Sequence, residues 1–134
     1  MMNKFALDTN ILIYSHDESA PDKQNIARNL IIRSPVVCTQ AVSEYISVLH
    51  RVMKIQKALV INACMPVLKN CRIQAVNMTT LQTAERLIKR YDFQIFDAII
   101  VASALDTDCK ILYSEDMQHD MKVDKKLSII NPFL

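Results

Sequence analysis

Not one of the 134 residues is a glycine. Every turn must therefore be made by a residue that carries a Cβ. Positive φ falls to Asn and Asp, which tolerate it better than other side chains. Asn70, Asp106, Asp108 and Asp120 are the expected turn formers. The same absence nearly excludes two enzyme classes. A Walker loop and a dinucleotide-binding turn both need glycine to bring backbone amides onto phosphate.

Between the turns, short apolar runs alternate with helical patterns. Asn3 to Leu7 reads as a strand, with Asp8 at its tip as N-cap of a short helix from Thr9 to Ser15. Pro21 suits the first turn of a helix reaching about Arg33, with Ile26, Leu30 and Ile31 inward, before Ser34-Pro35 breaks it. Val36 to Thr39 is a strand. Ala41 to Met53 is a helix, because Val42, Tyr45, Ile46, Leu49, Val52 and Met53 recur at spacings of three and four. A more hydrophobic helix runs from Lys57 to Lys69, with Pro66 as a kink or an early end. Arg72 to Val76 is a strand. Thr79 or Thr80 caps a helix to about Arg90, where Glu85 and Lys89 pair at i, i+4. Asp97 opens a helix to Leu105 that is apolar nearly all round, the mark of a central, buried helix. Lys110 to Tyr113 and Leu127 to Ile130 are the last strands, separated by the polar turn from Ser114 to Asp120. This alternation predicts an α/β three-layer sandwich, a mainly parallel, short-stranded sheet flanked by helices. The length suits one domain over residues 1–134.

No apolar run approaches the ~20 residues of a membrane helix, and the N-terminus lacks the pattern of a signal peptide, so a cytoplasmic protein is expected. Cys38, Cys64, Cys71 and Cys109 form no C-x-x-C pair and read as buried thiols. A net charge of +2 permits nucleic acid as a partner without arguing for it.

Four carboxylates sit at element boundaries that a parallel sheet gathers toward one edge. Asp8 follows the first strand, Glu44 lies in the first turn of the helix after the second, Asp97 heads the apolar helix, and Asp116 follows the strand ending at Tyr113. Taken singly, Asp8 reads as an N-cap, Asp97 as a helix-dipole residue and Asp116 as a turn residue. Glu44 is harder to explain away. A capping box would need Ser or Thr at Ala41, and the residue flanks an inward stripe through Tyr45 and Val48. Four ionised carboxylates held together call for a cation, and hard oxygen ligands favour Mg²⁺ or Mn²⁺ over zinc.

The chain resembles PIN-domain ribonucleases of the VapC-like kind, the small toxins of toxin–antitoxin pairs. The segments that carry the resemblance are Leu7-Asp8-Thr9-Asn10-Ile11-Leu12-Ile13-Tyr14, Thr39-Gln40-Ala41-Val42-Ser43-Glu44, Phe96-Asp97-Ala98-Ile99-Ile100-Val101-Ala102-Ser103-Ala104-Leu105 and Leu112-Tyr113-Ser114-Glu115-Asp116-Met117-Gln118-His119. They stand in the family's order and span nearly the whole chain. The resemblance implies a PIN-like fold, with Asp8, Glu44, Asp97 and Asp116 as the metal-binding, catalytic carboxylates. It implies a divalent-metal endoribonuclease, a homodimer and a neutralising antitoxin partner. Asp120 and Asp108 depart from it, standing where relatives often have glycine.

On this reading one or two Mg²⁺ ions activate a water that attacks the phosphorus in line. Thr9, Asn10, Ser43 and Ser114 orient waters or the ligating carboxylates. His119 reads as a surface turn histidine, and His16 and His50 show no partner pattern. RNA is expected along basic residues, with Lys122, Lys125 and Lys126 as one cluster and Lys54, Lys57, Lys89 and Arg90 as others. Two rival readings stand beside it. One is a non-catalytic RNA-binding or partner-binding module of the same fold. The other is a phosphatase of the haloacid dehalogenase type, which wants a second Asp where this chain has Asn10.

Overall fold

The structure, a computed structural model, describes residues 4–134. In chain order the elements are β1 (Phe5–Leu7), α1 (Thr9–Tyr14), α2 (Pro21–Ile31), β2 (Val36–Cys38), α3 (Thr39–Arg51), α4 (Val60–Leu68), β3 (Arg72–Gln74), α5 (Met78–Tyr91), α6 (Ile95–Asp106), β4 (Ile111–Tyr113), β5 (Met121–Val123) and β6 (Leu127–Ile130). The expected start of the first strand at Asn3 lies outside the described residues.

The strands form one sheet in the order β3-β2-β1-β4-β6-β5. All neighbours are parallel except β5, which runs antiparallel to β6. Helices flank the sheet, as the alternation of elements requires when parallel strands are joined by crossovers. β1 and β2 are buried along their whole length, so they read as unbroken apolar runs. α6 packs against α3, α5, β2 and β4, and every residue from Ala98 to Ala104 is buried. Its apolarity on all sides is thus explained by neighbours on all sides.

Several expectations need correction. β5 was not anticipated, and it makes the one antiparallel pairing among the described strands. α5 is capped by Asn77, not by Thr79 or Thr80. The Asn77 side chain accepts from the Thr80 amide at 3.1 Å, and the Thr80 hydroxyl accepts from the Asn77 amide at 3.2 Å. Threonine thus serves as the third-position partner of the box instead of its cap. α3 begins at Thr39, which puts Glu44 in its second turn. α2 stops at Ile31, short of Arg33, and α4 begins at Val60 with Pro66 inside it. Of the expected turn formers, Asp108 and Asp120 have positive φ (59° and 65°), and Asn70 and Asp106 do not. Positive φ also occurs at Ser34, Lys54, Asp92, Asp124 and Lys125. All four cysteines are free thiols, three buried and Cys71 half-buried.

Candidate active site

β1 and β4 lie side by side, with Leu7 opposite Tyr113. Their next residues, Asp8 and Ser114, therefore leave the sheet together. Asp8 donates its backbone N–H to the Tyr113 carbonyl (2.9 Å), and Ser114 does the same to Ile130 (3.0 Å). This is the carboxyl edge of a parallel sheet, where α/β folds collect ligands.

Asp8 is 4% exposed and caps α1: its Oδ1 accepts from the Thr9 amide at 2.7 Å. Its Oδ2 accepts from the Ser114 hydroxyl at 2.7 Å and, more distantly, from Asn10 Nδ2 at 3.4 Å. The same Asn10 nitrogen donates to Asp116 Oδ2 at 3.1 Å, and Asn10 Oδ1 accepts from the Glu115 amide at 3.2 Å. Asn10 is thus a strut between two carboxylates whose residues lie 108 positions apart (116 − 8). Thr9 reaches the other way, its hydroxyl donating to Glu44 Oε2 at 3.2 Å. Asp97, half-buried, stands in the first turn of α6.

Burial pushes the Asp8 carboxyl up to about 6. The Ser114 and Thr9 hydrogen bonds oppose this, while the charges of Asp97 and Asp116 push it further. Asp97 is raised too, first by burial and then by Asp116. Asp8, Asp97 and Asp116 therefore feel one another's charge. No ion pair within the described residues joins any of the four carboxylates to a Lys, Arg or His. A positive ion between them would relieve both burial and repulsion.

The donor set fits a hard cation, because every group is an oxygen. It does not form a closed cage. Among the described residues no three His, Cys, Asp or Glu side chains are arranged to hold a metal by themselves. Magnesium suits such a site, since it keeps several waters and takes few carboxylates directly.

The sequence-predicted residues fall into two groups. Asp8, Asp97 and Asp116 meet as charges, and Glu44 joins them through Thr9. Thr9, Asn10 and Ser114 each touch one or two of these carboxylates. Ser43 does not: it is exposed on α3 and, among the described residues, bonds to none of them. It is one residue from Glu44, and a helix turns it by about 100° to another face. His119 is a turn residue whose Nδ1 accepts from the Asn131 amide at 2.9 Å. His16 and His50 have partners the sequence did not suggest, the Tyr45 hydroxyl and the Ile55 carbonyl. Sequence reasoning passed over Lys23 and Glu115, whose side chains meet at 2.6 Å beside Asp116. The only cue was that Glu115 flanks a candidate ligand.

The chain belongs to the PIN domain family, whose profile matches residues 5–123. Among solved structures it is similar to FitAcB from Neisseria gonorrhoeae, with 14% identity, TM-score 0.71, and 96% of this chain and 98% of that one covered. It is also similar to a toxin–antitoxin complex from Klebsiella pneumoniae, with 16% identity, TM-score 0.70, and 96% and 97% covered. Mycobacterium tuberculosis VapC20, described as a sarcin–ricin-loop-cleaving toxin, matches at 16% identity, TM-score 0.67, with 84% and 90% covered. At such identities the likeness concerns the fold alone. No curated protein sequence matches the chain significantly.

Proposed function

We propose that this chain is one nuclease domain that hydrolyses RNA phosphodiesters with a divalent cation, Mg²⁺ or Mn²⁺, held at Asp8, Asp97, Asp116 and Glu44. The observation that carries the reading is Asp8. A carboxylate this buried, raised by two neighbouring acids and paired with no cation of the protein, costs stability and is best explained by the ion it serves. When bound, such an ion lowers the pKa of water and offsets charge on phosphate oxygens.

The protein's own part is positioning. Ser114 and the Thr9 amide hold the two Asp8 oxygens in place. Asn10 fixes the spacing of Asp8 and Asp116, and the Thr9 hydroxyl steadies Glu44. RNA is proposed to run from this edge along the cleft lined by Lys110, Lys122, Lys126 and Ile130, next to Ser114. Such phosphate contacts supply affinity but no sequence choice.

The toxin–antitoxin character of the structural relatives supports a toxin role with an antitoxin partner. A second copy of this chain as partner and a cytoplasmic location belong to the same proposal. No helix among the described residues is long and apolar enough to cross a membrane. Exposed Ile95 and Phe96 beside Asp97, and exposed Leu59, Ile61 and Met65 around α4, are apolar surface for such partners.

The test is cleavage of cellular RNA by purified protein with Mg²⁺, read by sequencing the fragment ends. Activity should vanish in chelator and fall by at least about 10²-fold in Asp97→Asn. RNA binding without cleavage would favour the non-catalytic module instead. Phosphorylation of Asp8 during turnover would favour the phosphatase.

A further inference from the structure

The turn after β4 carries Asp116, and its other residues are anchored one by one. Ser114 is fixed to Asp8, and its Oγ also accepts from the Met117 amide at 3.2 Å. Met117 is buried. The Glu115 amide donates to Asn10 Oδ1. The Glu115 side chain reaches away from the acidic edge and is held twice. Lys23 Nζ on α2 lies 2.6 Å from Oε2, and the Tyr14 hydroxyl at the end of α1 donates to Oε1 at 2.6 Å. Lys23 Nζ also donates to the Tyr14 hydroxyl at 3.3 Å, closing the triangle. The ammonium stands 4.9 Å from the Tyr14 ring centroid and 5.4 Å from that of Phe133, and the two rings meet edge to face at 5.0 Å. The chain bends over residues 115–117. With Glu115 held by both its side chain and its amide, the next carboxylate, that of Asp116, meets Asn10 Nδ2 at 3.1 Å.

We propose that Lys23, Tyr14 and Glu115 form a positioning clamp that sets the Asp116 carboxylate for the divalent ion. The inference rests on the nuclease reading. Lys23 and Glu115 do not touch the ion; they act through the Asp116 turn and through Asn10. A neutral turn would supply Asp116 at this position without any lysine. The ion pair, two aromatic contacts and a tyrosine hydroxyl instead tie the turn to α1, α2 and the segment after β6. Partners of ligating carboxylates tune affinity for the ion as well as the fold.

Mn²⁺ binding by electron paramagnetic resonance, in the absence of RNA, reads the clamp without asking for catalysis. Lys23→Met and Glu115→Gln should each raise the Mn²⁺ dissociation constant by about tenfold, with the double variant no worse than either single one. Lys23→Arg should restore tight binding, since it renews the charge and the donors. On RNA, the Mg²⁺ concentration for half-maximal cleavage should rise in the same variants by the same factor. Unchanged Mn²⁺ affinity in Lys23→Met and Glu115→Gln overturns the clamp, whatever their melting temperatures do. So do effects that multiply in the double variant. If the wild-type protein binds Mn²⁺ but cuts no RNA, the nuclease reading falls while the clamp is still judged by the Mn²⁺ series.

Discussion

Asp8 and Asp124 are two aspartates in opposite circumstances. Asp8 ends a central strand at the carboxyl edge of the sheet. Asp124 lies in the turn between β5 and β6, and because β6 runs parallel to β4, that turn is at the other end. Asp124 has what Asp8 lacks. Arg86 on α5 grips both its oxygens, at 3.1 and 2.7 Å, and the Tyr91 hydroxyl adds a third contact at 3.3 Å. Chiefly through the Arg86 hydrogen bonds, its carboxyl sits below the usual range, while that of Asp8 is pushed up to about 6 by burial. The same side chain thus helps hold the fold together at one end and strains it at the other. Carboxylates left unpaired in the interior are where function is to be sought.

The largest effect should come from exchanging charge for amide at the strained end. Asp8→Asn keeps the shape and removes the buried charge. RNA cleavage with Mg²⁺ should fall by at least about 10²-fold. Thermal or urea unfolding in metal-free buffer at neutral pH should show the variant more stable, on the order of 1 kcal/mol. A variant that loses stability instead would mean that the charge of Asp8 does not strain the fold, since Asn caps a helix as well as Asp does.

Ser114→Ala sharpens the contrast from the partner's side. Ser114 is fully buried, donates to Asp8 and accepts from the Met117 amide. Removing its hydroxyl leaves a buried carboxylate and a buried amide each short of a partner, which costs about 2 kcal/mol. Here stability and cleavage should fall together, unlike in Asp8→Asn. Urea unfolding alongside the RNA assay separates the two patterns.

Asp124→Asn tests the paired end. It tolerates the positive φ at this position (51°) and loses the ion pair. Arg86 is half exposed (50%), so solvent screens the pair and the expected loss at neutral pH is only about 1 kcal/mol, with cleavage retained. The pH dependence has a definite sign. The folded carboxyl is depressed, so the unfolded chain takes up its proton first as pH falls. The stability that Asp124 contributes is complete above the ordinary value of 3.8 and is lost as pH drops through the lower folded value. The gap between wild type and variant should therefore be constant from pH 7 down to the ordinary value and narrow as pH falls below it; a gap that does not narrow there would assign the contribution to shape, not charge.

The two ends also differ in how far the sequence revealed them. At the functional end, Asp8 and Asp116 follow apolar strands and Asp97 opens an apolar helix, and a parallel sheet brings such boundaries together, so the carboxylates were legible one boundary at a time. Their supports were less so. The Lys23–Glu115 pair spans 92 positions (115 − 23), and nothing local marks either residue. Ser43 lies beside Glu44 in sequence, but helix rotation takes it to another face. At the structural end β6 was read within its observed bounds, but β5 and the turn that makes the two a hairpin were missed. Hairpins announce themselves by Asn-Gly or Asp-Gly, and this chain has no glycine to announce with. Asp124-Lys125 fills that place, and a lysine gives no turn signal.

That lysine supplies the smallest test. Lys126 donates its amide to the Val123 carbonyl at 3.0 Å, closing a four-residue turn. Both central residues have positive φ, 51° at Asp124 and 57° at Lys125. This is the hairpin turn whose twist matches that of the strands, and its second central position is the one where glycine is favoured. Aspartate tolerates the conformation through its short polar side chain; lysine gains nothing there and bears the Cβ clash. Lys125→Gly should relieve that strain while loosening the unfolded chain, for a net gain of about 0.5 kcal/mol. Asp124→Gly should instead destabilise, because it sacrifices the Arg86 and Tyr91 contacts for the same relief. Urea midpoints of the two variants, shifted in opposite directions from wild type, would show that the missing glycine strains the hairpin at one residue and is compensated at its neighbour.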